Sequence, residues 1–179
     1  DSGELKENAE GEMNVWELTE GCACCTMKKD FTASVLTIAN TLDPEYLIVE
    51  PTGAAMLSNM MANLKQIEYE RIVLLKPLLI LDGEFFFKNM AEYSELIKNQ
   101  LKYAGSIVFS KTENASKEEY ARLCEEAEKY TSAAVLREHY KKLPDEWYFS
   151  LLDDYLDENM RPEKIEEELS LETMTVKGA

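Results

Sequence analysis

Basic residues are scarce in this chain: 19 lysines and arginines stand against 35 aspartates and glutamates, leaving a formal net charge of -16. A surface that negative repels phosphate backbones and anionic lipid, so neither nucleic acid nor a membrane surface is an expected partner, while cations are favoured. Long apolar runs are missing as well. No stretch reaches the roughly eighteen consecutive apolar residues that a bilayer-spanning helix needs, and the opening residues lack the pattern of a secretory leader. Histidine is almost absent. His139, the only one, lies in a charged stretch and is expected at the surface, and no Cys/His spacing makes a closed zinc finger. The four cysteines form a poor disulfide framework, because three of them are bunched, and this points to a reducing compartment and a cytoplasmic protein.

What the chain does contain is enough apolar material for a core: 45% of its 179 residues are hydrophobic, which suffices for one well-buried domain. The bunched cysteines stand in Glu20-Gly21-Cys22-Ala23-Cys24-Cys25-Thr26. Cys22, Cys24 and Cys25 can converge on one soft metal ion if the backbone turns there, and the preceding glycine permits a turn. Adjacent Cys24 and Cys25 would point to opposite faces of a regular strand, so joint ligation requires a loop. A redox or disulfide role and plain burial as small hydrophobes remain open beside metal binding. Cys124, set in Ala121-Arg122-Leu123-Cys124-Glu125, has the helical spacing of a buried structural thiol.

Hydrophobic patterning predicts an α/β domain with a mainly parallel sheet flanked by helices. Strands are expected at Met13–Leu18, at the unbroken apolar run Tyr46–Val49, within Arg71–Gly83 with a break at Pro77, at Gly105–Phe109 and, shorter, at Ser132–Leu136. Helices are expected near residues 30 to 41, with Asp30 as N-cap, 54 to 65, 87 to 102 and 116 to 129. A further helix is expected over Glu146–Glu158, then a charged helix or linker from Pro162 and an alternating stretch, Ser170–Val176. In open parallel sheets ligands gather beyond the carboxyl ends of the strands. The cysteine turn, Glu50 to Gly53, Asp82-Gly83 and Ser110 to Glu113 all fall at such ends.

Taken together these positions resemble the CobW-type family of P-loop GTPases, metallochaperones related to the nickel-insertion GTPases of hydrogenase and urease. The resemblance rests on Glu17-Leu18-Thr19-Glu20-Gly21-Cys22-Ala23-Cys24-Cys25, which is similar to the family's Gly-Cys-x-Cys-Cys hallmark, and on Glu50-Pro51-Thr52-Gly53 after an apolar strand. Ser110-Lys111-Thr112-Glu113 stands in the place of the guanine-reading Asn-Lys-x-Asp motif. The ordered match covers about residues 1 to 137. It implies a GTPase domain of the SIMIBI-like P-loop class over residues 1–158, with 159–179 a charged linker and the start of a further domain.

The resemblance further implies Zn²⁺ or Co²⁺ on Cys22, Cys24 and Cys25, with GTP and Mg²⁺ in the intact protein and a metal-requiring client protein as partner. Glu50 would contact the Mg²⁺ shell or orient the attacking water. Thr52 and Gly53 would sense the γ-phosphate, Lys111 would lay its stem along the base, and Ser110 and Glu113 would complete the base site. Two departures accompany these matches. The 179 residues contain no G-x-x-x-x-G-K-[ST] phosphate loop, so the chain reads as an interior part of such a GTPase or as a member without its phosphate grip. Glu113 replaces an aspartate and must retreat by about one methylene to accept from the guanine ring. A metal-holding or client-docking module that hydrolyses nothing is the alternative to a nucleotide hydrolase.

Overall fold

A computed structural model describes residues 28–157 except Glu70. The expected strand at Met13–Leu18, the cysteine turn with Cys22, Cys24 and Cys25, and the charged tail beyond Pro162 lie outside the described residues.

The sheet forms from three of the apolar runs. β1 (Leu78–Asp82) starts immediately after Pro77, as expected of a residue that fixes φ and has no N–H to give a ladder. It pairs in parallel with β2 (Ser106–Ser110), from Leu78 opposite Ser106 to Asp82 opposite Ser110. β3 (Ala134–Val135) joins the far side of β2, also in parallel, so the order is β1-β2-β3. The central strand is covered on both faces: Ile107 and Phe109 are fully buried and Val108 nearly so, which explains why it reads as an unbroken apolar run rather than an alternating one.

Helices close over this strand. α3 (Phe86–Glu92) and α4 (Ser94–Tyr103) follow β1, and α5 (Lys117–Glu128) follows β2. Phe86 from α3, Leu101 from α4, and Tyr120, Leu123, Cys124 and Ala127 from α5 meet Leu81, Ile107 and Phe109 in one core. The α5 contributors are spaced three and four apart, the stripe of an amphipathic helix. Phe109 is met edge-on by Phe86 at 5.3 Å and by Tyr120 at 6.1 Å between ring centroids, the arrangement that aromatic quadrupoles favour. A smaller core lies apart from this one, where Phe31 and Val35 of α1 (Lys28–Leu42) pack with Ile67, Val49 and, from α2 (Leu57–Lys65), Met60 and Leu64. Cys124 is fully buried, with its thiol donating to Leu136 O at 3.5 Å, the structural role expected of it. Among the described residues no helix is long and apolar enough to cross a membrane.

Five expectations are corrected. Tyr46–Val49 forms no strand: among the described residues nothing supplies it with a ladder, and Ile48 is 89% exposed. The helix expected over 87 to 102 is two helices that meet at Tyr93, whose φ of -126° and ψ of 42° interrupt the coil. α6 (Asp145–Ser150) stops far short of Glu158. The chain beyond it is drawn off by residues 74 to 76, with Lys76 N–H donating to Asp154 O at 2.8 Å and Leu156 N–H to Leu74 O at 3.0 Å. Lys76 Nζ then bridges Asp154 at 2.8 Å and Asp157 at 3.1 Å. Asp30 lies inside α1, which begins at Lys28, and so is not its N-cap. His139, expected at the surface, is 7% exposed.

Candidate functional site

The carboxyl ends of the parallel strands carry the chemistry. β1 ends at Asp82, and the next residue, Gly83, donates its N–H to Ser110 O at 2.9 Å. A Cβ at Gly83 would stand 2.3 Å from Thr112 Cγ2 and 3.1 Å from Ser110 O, so only glycine lets the two strand ends approach this closely. On the β2 side, Ser110 Oγ donates to Leu81 O at 3.2 Å, and buried Thr112 donates to Phe109 O at 3.4 Å. Between them Lys111 adopts a φ of +55°, a left-handed conformation that is uncommon for a residue with a side chain. This throws the Lys111 side chain back across the strand ends.

There it meets Asp82. Lys111 Nζ lies 2.7 Å from Asp82 Oδ2, while Asp82 Oδ1 accepts from the Phe85 N–H at 3.1 Å. Burial pushes the Asp82 carboxyl up, but the hydrogen bonds from Lys111 and from the Phe85 amide outweigh it and hold the group below its ordinary value. The same hydrogen bond raises Lys111 above the usual lysine range. Asp82 thus has two partners, one a main-chain donor that opens α3 and one the Lys111 ammonium.

Glu113 belongs to a second cluster one step further along the loop. Its Oε1 lies 3.4 Å from His139 Nε2 and 3.5 Å from Lys141 Nζ. Its own backbone amide is the largest influence holding the carboxyl below its ordinary value, and His139 and Lys141 act in the same direction. His139 is fixed from the other side, since its Nδ1 accepts from the Lys141 N–H at 3.2 Å and its ring stacks on Tyr140 at 4.3 Å. An accepting Nδ1 leaves Nε2 to carry the proton in the neutral ring. That buried Nε2 makes no aligned hydrogen bond, so the contact with Glu113 is one of proximity. His139 and Lys141 are the residues that sequence reasoning missed. Their only signal was position, just beyond the last short strand.

The structure therefore brings Ser110 and Lys111 to Asp82, and Glu113 to His139 and Lys141. Glu50, Thr52 and Gly53 are placed differently. All three are exposed. Ala55 N–H donates to Thr52 O at 2.9 Å to close a turn, and Gln100 Nε2 of α4 donates to Gly53 O at 3.0 Å and Ala55 O at 3.1 Å. Among the described residues no hydrogen bond or ion pair joins this turn to the Asp82 and Glu113 clusters. No group of three or more His, Cys, Asp or Glu among the described residues is placed to hold a metal ion; Cys22, Cys24 and Cys25 lie outside them.

A family model described as the CobW/HypB/UreG nucleotide-binding domain matches residues 1–137. Neither a curated protein nor a solved structure matches the chain.

Proposed function

The chain belongs to the CobW/HypB/UreG nucleotide-binding family, a family of GTPase-type metallochaperones, and from that premise we propose that it carries a transition-metal ion, Zn²⁺ or Co²⁺, on Cys22, Cys24 and Cys25. The ion is cargo, released to a metal-requiring client protein in the cytoplasm under the control of GTP hydrolysis in the intact protein. One observation carries this reading: the Gly21–Cys25 cluster lies inside the matched residues. Three thiolates are the donor set that a soft or borderline cation prefers, and tetrahedral geometry leaves a fourth position for water or a ligand from the client.

For the nucleotide, the base end has residues that fit. The Lys111 stem offers an apolar rail beside a ring, and Glu113 offers a carboxylate at the end of β2 that can accept from a purine N–H and amine. The contacts of Glu113 with His139 and Lys141 compete for the same oxygen and weaken that acceptance, so they tune the preference for guanine. Thr52 and Gly53 are assigned to sensing the terminal phosphate, and Glu50 to orienting water or the Mg²⁺ shell. Bound GTP supplies the free energy that separates a metal-holding state from a metal-releasing one. Coupling of that kind is limited to the difference in metal affinity between the two states.

The second reading is a metal-holding or client-docking module without hydrolysis. Both readings share the thiolate site. The test is a titration of Zn²⁺ into the reduced chain against a chromophoric chelator, beside a Cys22→Ser/Cys24→Ser/Cys25→Ser variant. One-to-one binding that disappears in the variant supports the carrier. Binding of equal strength in both proteins removes the assignment.

A further inference from the structure

One histidine holds together the loop that follows β3. His139 caps the tight helical turn Tyr140–Lys142, because its Nδ1 accepts from the Lys141 N–H at 3.2 Å. Its other nitrogen, Nε2, is buried 3.4 Å from Glu113 Oε1 and makes no aligned hydrogen bond among the described residues. The carbonyls on either side are tied down independently. Tyr120 of α5 donates its hydroxyl to Glu138 O at 2.8 Å, and Tyr148 of α6 donates its own to Tyr140 O at 2.6 Å. The loop is therefore anchored at both shoulders, with the Lys141 amide between them held by the imidazole alone.

The two nitrogens have duties that a single charge state cannot both serve. A neutral imidazole has one donor and one acceptor, whereas a protonated one has two donors and no acceptor. In the neutral ring Nδ1 accepts and the cap is made, while Nε2–H stops short of an aligned bond to Glu113. An added proton goes to Nδ1, which holds the only available lone pair. The new Nδ1–H then faces the Lys141 N–H, donor against donor, and the cap is lost. The same proton places a positive charge beside Glu113, and a charge-assisted bond at about 2.8 Å would need the 3.4 Å gap to close by roughly half an ångström.

The groups around the ring leave this exchange to His139. Glu113, on the loop after β2, stabilises the charged ring, and Lys141 Nζ, 3.5 Å from the same Oε1, competes for that oxygen. Tyr120 is pushed up to about 12, chiefly by burial, and stays neutral wherever a histidine titrates. Tyr140 presents its ring face at 4.3 Å, and the Tyr148 hydroxyl is spent on Tyr140 O. Flanking Glu138 and Lys142 carry opposite charges, Arg137 is paired with Glu128, and β2, against which the turn packs, brings no titratable group.

We propose that His139 is a proton-operated latch on the loop after β3: neutral, it caps the Tyr140–Lys142 turn, and protonated, it drops that cap and bonds the Glu113 carboxylate. The latch stands apart from the metal and nucleotide readings. Its one consequence for them is that in acid Glu113 is engaged by His139 and less free to accept from a base.

The test is an NMR titration of the ¹⁵N- and ¹³C-labelled 179-residue chain from pH 8 to pH 5.5, a span in which histidine is the side chain that ordinarily titrates. At pH 8 the ring should show a bare Nδ1 and a protonated Nε2. As the pH falls, the Lys141 amide proton should shift upfield on losing its acceptor, and the Glu113 carboxyl carbon should move with it, both at the midpoint of the ring. Glu113 is held below its ordinary value, so its own titration lies beneath this span. His139→Asn keeps a cap, since an Asn oxygen accepts from the N–H two residues on, but has no ring to titrate; there both reporters should stay flat. Four results overturn the proposal: a neutral ring protonated on Nδ1, a ring that titrates while the Lys141 amide stays still, a ring that takes up no proton by pH 5.5, or a Lys141 amide that titrates equally in His139→Asn. The first three need only the parent chain, so they decide the question even where His139→Asn does not fold.

Discussion

Gly83 is the tightest point of the candidate site, and replacing it tests whether the strand ends are packed as described. An alanine there places its Cβ 2.3 Å from Thr112 Cγ2, 3.1 Å from Ser110 O and 3.3 Å from Leu123 Cδ1. Thr112 is only 6% exposed, so its methyl has little room to give way. Overpacking of this kind costs about 1–3 kcal/mol, offset by about 0.4–1 kcal/mol from the stiffer unfolded chain. The net expectation for Gly83→Ala is a loss of about 1–2 kcal/mol, which lowers the Tm by roughly 2–8 °C in a chain of this size. Thr112→Ser removes the clashing methyl and keeps the hydroxyl that donates to Phe109 O; alone it costs about 1 kcal/mol for the lost methyl. In that background Gly83→Ala should be close to neutral, giving a favourable coupling of about 1–2 kcal/mol in a double-mutant cycle read by urea unfolding. Additive losses, or a Gly83→Ala protein as stable as the parent, would refute the close approach of the two strand ends.

Other expectations follow from single contacts. Ser116 and Glu119 cap α5 reciprocally, with Glu119 N–H donating to Ser116 Oγ at 3.1 Å and Ser116 N–H to Glu119 Oε2 at 2.8 Å, so Ser116→Ala should cost about 1 kcal/mol and lower the Tm by roughly 2–4 °C. Because the Asp82 carboxyl is held below its ordinary value of 3.8, its contribution to stability is fully present above that pH and is lost as the pH falls below it. Lys111→Met leaves burial less opposed, so a carboxyl NMR titration should show Asp82 titrating at higher pH than in the parent; an unchanged titration would deny the pair. Cys124 is fully buried, and burial raises its thiol, so native protein at pH 8 should alkylate at Cys124 only on the timescale of unfolding while the denatured chain reacts at once. Fast native labelling of Cys124, read by mass spectrometry, would contradict its place in the core.

The sequence made the local features legible where local chemistry decides them. The break expected at Pro77 falls just before β1, the apolar run Gly105–Phe109 became the central strand, and the helix expected near 116 to 129 is α5 with Cys124 buried as expected. The failures share a cause in tertiary context. Tyr46–Val49 has the composition of a covered strand, but composition cannot say whether a neighbour is present to pair with it. The helix expected to run to Glu158 ends at Ser150 because Lys76 and Leu74, some eighty residues upstream in sequence, capture Asp154 and Leu156. Charged neighbours argued for an exposed His139, yet Tyr140 and the Lys141 amide hold its ring inside. In the candidate site, Ser110, Lys111 and Glu113 were legible as a motif at a strand end. That Lys111 would turn through a positive φ onto Asp82, and that Glu113 would face His139 and Lys141, depends on how three loops meet.

The central claim is that this chain handles metal through its bunched cysteines, and the most direct measurement is the absorption spectrum of the reduced chain loaded with Co²⁺. Thiolate ligation in a tetrahedral site gives an intense sulfur-to-cobalt charge-transfer band, together with the strong visible d–d bands of low-symmetry cobalt. The account predicts both at one equivalent of Co²⁺, weakened stepwise as Cys22, Cys24 and Cys25 are each replaced by serine, and bleached by Zn²⁺. A spectrum of cobalt bound to oxygen ligands alone, or one indifferent to all three substitutions, would contradict it.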